Sequence, residues 1–400
     1  MHLVESLPDL SCYRADFPLL KRRLNGKSII YLDSAATALK PQTVIDSVTR
    51  YYTDCTANVR RGVHALSEEA SDVFEAARER IGRFINADAR EILFVRNATE
   101  ACNLVANSLP SDALVATNFA EHHSNLLPWR ARRHIELETD STGRINVDKA
   151  ESVLGSSSPG VVTFSSVGNA FGVRQPVFEL SELAHASGAK VLLDVSQSIG
   201  HEPVDVRMLN CDYLCFSGHK MLGPTGVGVL YVRAGAENQL RPLLLGGSMV
   251  KSVGLDNYTP LEFPWGFEAG TPSIEGVFGL AAACDYLDSI GVHVIHEHTS
   301  ALTHQLREEL EQINRVRVHG NSNDDSAIVT FSVTGLEAHG VARILSNRHA
   351  ILVRSGFHCA EPLHRIRNLP ETVRVSVHLY NTAEEIDTCA RAVRMISDLP

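Results

Sequence analysis

The sequence predicts an α/β protein: a large unit on a mostly parallel sheet flanked by helices, followed by a smaller α+β unit. Two observations carry this. Short β-rich apolar runs recur through the first half, EILFV at 91–95, ALVAT at 113–117, GVVTFSSV at 160–167 and KVLLDV at 190–195. Each interval leaves room for a helix, the spacing of βαβ units. From about residue 275 the pattern turns to long helix, then to strands mixed with helices. Four hundred residues also exceed what one core usually holds. The expected division is an N-terminal segment, 1–25, lying on the small unit, then a large unit over 26–279 and a small unit over 280–400.

The elements follow in order. Residues 65–86 place apolar side chains at helical spacing with charge on the opposite face, an amphipathic helix. The four apolar runs and YLCFSG near 215 read as buried strands. A long helix is expected over 275–312, then a strand at AIVTFSV, a helix over 337–347, strands at ILVRSG and TVRVSVHLY, and a last helix from Glu384. Only SSSPG and the Pro-rich stretch 258–272 interrupt the elements.

Composition narrows the function. The chain is 44% hydrophobic and 21% charged, ordinary for a globular protein. Its net charge of −10, without a basic stripe, argues against nucleic acid or an anionic membrane as partner. The first residues lack the apolar core of a signal peptide and no segment approaches 18 uninterrupted apolar residues, so a cytoplasmic location is expected. The eight cysteines, at 12, 55, 102, 211, 215, 284, 359 and 389, have no framework spacing, which fits free thiols in a reducing compartment. Cys211 and Cys215 are the nearest pair, but no second ligand pair follows, so no metal site is expected.

In an open parallel sheet, ligands gather at the carboxyl ends of the strands. Polar clusters follow the strands here. After EILFV, Asn97, Ala98 and Thr99 enter a helix whose free N–H groups suit either a phosphate or an N-cap. His122 and His123 follow ALVAT, Asn169 follows GVVTFSSV among glycines, and Asp194 ends KVLLDV with Gln197 just beyond. Asp194 reads equally well as a helix cap or as the partner of a cation. YLCFSG leads to His219 and Lys220 and then to a run of glycines. A lysine able to form a Schiff base, an acid to face a pyridinium nitrogen, a histidine to stack on a ring and a phosphate-binding helix end are what a pyridoxal-phosphate site needs.

EHHSN, DVSQS, SGHK, FEAGTP and RSGFHCAEP, in this order and spacing, resemble the class V aminotransferase family of fold-type I pyridoxal-phosphate enzymes. Within it the chain is most similar to cysteine desulfurases of the SUF-type group, from YRADFPLL to RVSVHLYNT. The resemblance implies that Lys220 holds pyridoxal 5′-phosphate covalently and then moves protons. It implies that His122 stacks on the ring, Asp194 meets the pyridine nitrogen and Gln197 the ring hydroxyl. Thr99, Ser217 and His219 match phosphate contacts, and Thr271 matches one supplied by a second subunit, hence a homodimer. Asn169 and Arg374 match residues that hold the substrate carboxylate, and the resemblance counts Arg354 and Arg61 among the substrate-binding residues. Cys359 matches the nucleophile that takes sulfur from L-cysteine as a persulfide, for delivery to an acceptor protein; iron–sulfur cluster assembly is one pathway served. Related activities remain open at this stage: a C–S lyase, a selenocysteine lyase, an aminotransferase, or an inactive sulfur-transfer scaffold. The chain departs from the family pattern at Arg60, Phe357, Gly266 and the stretch Gly246-Gly247-Ser248-Met249.

Overall fold

The computed structural model describes residues 10–321 and 323–399. At its centre lies a seven-stranded sheet in the order Ile92–Val95, Gly228–Val232, Tyr213–Ser217, Lys190–Asp194, Val161–Ser165, Leu114–Thr117, Arg133–Glu136. Gly228–Val232 runs antiparallel to both its neighbours, and the other pairings are parallel. The expected strands are therefore present, each one to three residues shorter than the apolar run that signalled it. Almost every residue in them is buried on both faces, which is why they read as unbroken apolar runs rather than alternating ones. Each fully buried Val, Leu or Phe contributes about 1.5–3 kcal/mol of transfer free energy.

Gly228 is needed where it stands. A Cβ there would lie 2.6 Å from the Phe216 carbonyl oxygen and 2.9 Å from the Asn97 Cα. That close approach lets the antiparallel strand pass directly under the start of helix Ala98–Ser108.

The amphipathic helix runs over Ala65–Phe84, with the His64 side chain capping its start, and packs with helix Gln42–Asp54 against Ile274–Ile290. The single long helix expected over 275–312 is two helices, Ile274–Ile290 and Val292–Glu311, bent by 77° at Gly291. Gly291 has φ +92, and its N–H bonds back to the Leu287 carbonyl, which ends the first helix. No single helix among the described residues is long and apolar enough to cross a membrane.

A four-stranded antiparallel sheet, Val316–His319, Ile328–Val333, Thr372–Ser376 and Arg354–Gly356, forms the C-terminal unit with helices Ala338–His349 and Ala383–Ser397. ILVRSG does not form one strand. Ile351–Leu352 pairs in parallel with Ile30–Tyr31, and Arg354–Gly356 turns to pair with Thr372–Ser376. Leu32 accordingly belongs to the core of this unit, beside Leu306, Phe331, Val373 and Val393. Within the span 1–25, residues 1–9 lie outside the described residues. From residue 10 onward Arg14 pairs with Glu385, and Phe17 packs on Tyr286 and Tyr380.

Candidate active site

The carboxyl ends of the parallel strands open into a cavity of about 250 Å³. Eleven of the thirteen residues singled out in the sequence line it: Thr99, His122, Asn169, Asp194, Gln197, Ser217, His219, Lys220, Arg354, Cys359 and Arg374. Thr271 and Arg61 do not. Thr271 is exposed on a surface loop, and Arg61 points away to donate to the Val250 carbonyl at 3.2 Å.

Lys220 sits on a short turn after strand Tyr213–Ser217. The carbonyl just before it, that of His219, accepts from Ala38 N–H at 3.0 Å, the Thr37 hydroxyl at 3.2 Å and the Lys40 ammonium at 2.9 Å. Three donors on one oxygen fix the peptide that carries Lys220. Burial pushes the Lys220 ammonium below its ordinary range, against the opposing pull of Asp194, so its neutral, nucleophilic form is within reach. Burial also lowers His219, to about 4.

Asp194 ends its strand and accepts from the Ser196 N–H at 2.8 Å. That is a local turn contact, which leaves its second oxygen to the cavity. Asn97 caps helix Ala98–Ser108 by accepting from Glu100 N–H at 3.1 Å. Ala98 N–H donates to the Ser217 hydroxyl at 3.0 Å, and the Thr99 and Ser124 hydroxyls meet at 2.6 Å. The helix end, two hydroxyl-bearing loops and His219 thus converge on one end of the cavity.

His122 accepts from Ser124 N–H through Nδ1 at 3.1 Å. Burial, reinforced by Lys220, pushes it down to about 3, so the ring is neutral at ordinary pH. Its loop is anchored by Glu121, which is wholly enclosed. Glu121 accepts from Ser165 N–H at 2.9 Å, the Ser165 hydroxyl at 2.5 Å, Asn118 at 2.9 Å and Asn125 at 2.8 Å. Burial raises this carboxyl and those donors pull it back.

Cys359 is exposed, on the loop between strand Arg354–Gly356 and helix Glu361–Ile366. His358 and Cys359 both have left-handed backbones, φ 52 and φ 57, a costly arrangement for two consecutive non-glycine residues. The loop is held in place by Asn169, whose amide donates to the His358 carbonyl, and by His123 N–H, which donates to the Cys359 carbonyl at 2.9 Å. His358 bonds Thr372 through Nε2 at 2.9 Å, and burial lowers it to about 2. Arg374 donates to the Asn169 carbonyl at 2.7 Å, and its other nitrogens face the cavity wall near Asp33. Burial lowers Arg374 to about 10, which still leaves it cationic.

The departures lie around this centre. Arg60 pairs with Glu268, which also takes both ends of the Arg78 guanidinium at 2.8 and 3.0 Å. At Gly266 a Cβ would stand 2.2 Å from the Leu261 carbonyl oxygen, so no side chain fits. Phe357 meets the His364 ring edge-on at 5.4 Å.

An aminotransferase class-V family model matches residues 30–389. The chain belongs to that family. It is 40% identical to a probable cysteine desulfurase of Synechocystis sp. over 98% of this chain and 98% of the relative. It is 36% identical to a cysteine desulfurase of Haloferax volcanii over the full length of both. Among solved structures, the apo cysteine desulfurase of Thermococcus onnurineus NA1 superposes with a TM-score of 0.91 at 37% identity, covering 99% of this chain and 98% of that one. The Escherichia coli desulfurase CsdA superposes at 0.88 with 30% identity, covering 98% of each. The class-V fold is that of fold-type I enzymes, and the family uses pyridoxal 5′-phosphate. The cavity suits that group: a desolvated lysine, a free carboxylate oxygen beside it, a neutral imidazole and a helix end flanked by hydroxyls.

Asp33, Glu121, Ser124 and Ser196 line or support the site without standing out in the sequence. A polar Asp-Ser pair directly after the apolar run IIYL was the available signal for Asp33.

Proposed function

We propose that the chain is a pyridoxal-phosphate-dependent cysteine desulfurase, converting L-cysteine to L-alanine and leaving its sulfur as a persulfide on Cys359 for an acceptor. The observation that carries this is one cavity holding a desolvated lysine and an exposed cysteine, with two arginines beside them. Thiol and amine chemistry meet there on the same substrate.

Lys220 would hold the cofactor, with Asp194 at the ring nitrogen, Gln197 at the ring hydroxyl, His122 against the ring face, and Thr99, Ser217 and His219 at the phosphate. Bound pyridoxal phosphate supplies a sink for the electrons left when the substrate's α-proton is removed. Arg374 and Asn169 hold the substrate carboxylate, with Arg354 at the mouth; a planar guanidinium suits that task. Lys220, once released, takes the α-proton and returns it. The Cys359 thiolate attacks the substrate sulfur: an S–S bond forms and the Cβ–S bond breaks. Its electron pair stays with the carbon skeleton, which is protonated and leaves as alanine. The strained loop presents the thiol to the cavity on one side and to an acceptor on the other.

A homodimer completes this reading. Thr271 and Arg61 stand outside their own cavity, and the stretch 244–258 exposes Leu244, Leu245, Val253, Leu255 and Tyr258, an apolar face suited to a second copy. The large and small units proposed from the sequence correspond on this reading to the cofactor-bearing sheet and the thiol-bearing sheet.

The test is the fate of the carbon skeleton. The yellow protein with L-cysteine and a reducing thiol should yield equal alanine and sulfide, both lost in Cys359→Ala. Pyruvate in place of alanine, or turnover indifferent to Cys359, would make the protein a lyase.

A further inference from the structure

Lys40 is a half-buried cation with no carboxylate partner among the described residues. Lysine is seldom drawn inside without an anion to meet it. Its ammonium has three hydrogens and meets three neutral oxygens: the Thr37 hydroxyl at 3.4 Å, the Ala38 carbonyl, and the His219 carbonyl at 2.9 Å. The first two lie on its own loop. The third lies 179 residues away, in the peptide bond that joins His219 to Lys220.

The base from which Lys40 reaches is rigid. Pro41 follows it and starts helix Gln42–Asp54, which packs against Ile274–Ile290. Leu39 N–H donates to the Tyr380 hydroxyl at 3.2 Å, and Ala38 N–H to the same His219 carbonyl at 3.0 Å. Of the three donors on that carbonyl, Ala38 N–H and the Thr37 hydroxyl are neutral and the Lys40 ammonium is charged. A charge-assisted hydrogen bond is roughly twice as strong as a neutral one. Lys40 thus has the firmest hold on the peptide, and its hold is the one that weakens when a proton is lost.

We propose that Lys40 is a positioning residue for Lys220: its ammonium pins the carbonyl of the His219–Lys220 peptide and so fixes the point from which the Lys220 side chain reaches into the cavity. This rests on the reading of Lys220 as the residue that takes the cofactor. Burial pushes Lys40 down to about 8, so the pin is in place at neutral pH and weakens as pH rises through 8. The titratable groups that face it stay neutral across that window. His219 is lowered by burial to about 4 and His378 lies well below its ordinary value, the Lys40 charge adding to both shifts. The Tyr380 hydroxyl beside Leu39 is raised by burial. Lys220 itself is lowered, and comparing variants at each pH cancels its own titration.

The experiment follows the rate at which the cofactor-free protein takes up pyridoxal 5′-phosphate, read by visible absorbance with Lys220→Ala as the blank. At neutral pH, Lys40→Met should be about 10- to 100-fold slower than the parent, and Lys40→Arg, which keeps the cation, should match the parent. Above pH 8 the Lys40→Met deficit should shrink about fivefold as the parent loses its own ammonium. Lys40→Arg, which keeps its proton there, should outpace the parent. A Lys40→Met deficit that is the same at every pH, no deficit at all, or a Lys40→Arg as slow as Lys40→Met would each overturn the proposal. If Lys40→Met does not fold, the ratio of Lys40→Arg to parent decides alone: a rise above pH 8 supports the pin and a flat ratio overturns it. A parent that takes up no cofactor sinks the reading of Lys220 and the pin with it, whereas normal uptake indifferent to Lys40 sinks the pin alone.

Discussion

Glu268 is a buried carboxylate set between two guanidiniums. Its carboxylate is shared by Arg78 and Arg60 and also accepts the Phe94 N–H at 2.9 Å. The Arg78 guanidinium in turn lies over the Phe94 ring at 4.4 Å. The pair stands at side-chain exposures of 1% and 3%, so removing the acid leaves two guanidiniums with only the partly exposed Glu75 as counter-charge. Glu268→Ala should therefore cost about 3–5 kcal/mol, measured as a lower midpoint in urea unfolding with the slope unchanged. Arg60 does not depart from the family pattern idly: it supplies the second guanidinium on this carboxylate. At this scale the site residues were legible wherever a polar residue ended an apolar run, as Asp194 and Lys220 do. Glu268 and Asp33 were not, because their roles depend on partners hundreds of residues away, across contacts that local pattern does not encode.

Helices and strands were the most legible layer, and their ends the least. The helix predicted over 65–86 from its apolar periodicity spans Ala65–Phe84, and that over 337–347 spans Ala338–His349. What periodicity missed was Gly291, one of three glycines in the stretch 275–312. Its φ of +92 and the 77° bend it permits come from the demand that the second helix pack against Ala383–Ser397. Gly291→Ala should cost about 1–3 kcal/mol, since the backbone region it occupies disfavours a Cβ and the His293 ring lies 3.0 Å from where that Cβ would sit. Differential scanning calorimetry should find a lower melting temperature. An unchanged one would mean the bend relaxes without penalty. ILVRSG was likewise one run in sequence and two short strands in space, because its halves pair with opposite ends of the chain.

For the whole molecule, the fold class was readable because a parallel sheet writes itself as unbroken apolar runs at βαβ spacing. The stability of that whole has a pH signature. Among the histidines held neutral by burial are His122, down to about 3, His201, down to about 4, and His378, whose ring centroid lies 4.4 Å from that of His201, well below its ordinary value. Each folded-state pKa lies below its unfolded value of 6.5. The neutral rings therefore stabilise the fold in full above pH 6.5, and that stability drains as pH falls from 6.5 toward 4. Each ring contributes up to about 1.4 kcal/mol per pH unit in that window. Urea midpoints of the cofactor-free chain should fall between pH 6.5 and 4, and His378→Ala should flatten the decline.

The strand Ile30–Tyr31 finds its partner at Ile351–Leu352, and Asn381 donates to the Tyr31 carbonyl from 350 residues further along the chain. On a ribosome adding about 5–20 residues per second, the first strand emerges roughly 15–65 s before its partner does. Throughout that interval an apolar edge belonging to the last unit to be made has nothing to pair with. The nascent chain thus carries a waiting segment until synthesis is nearly complete.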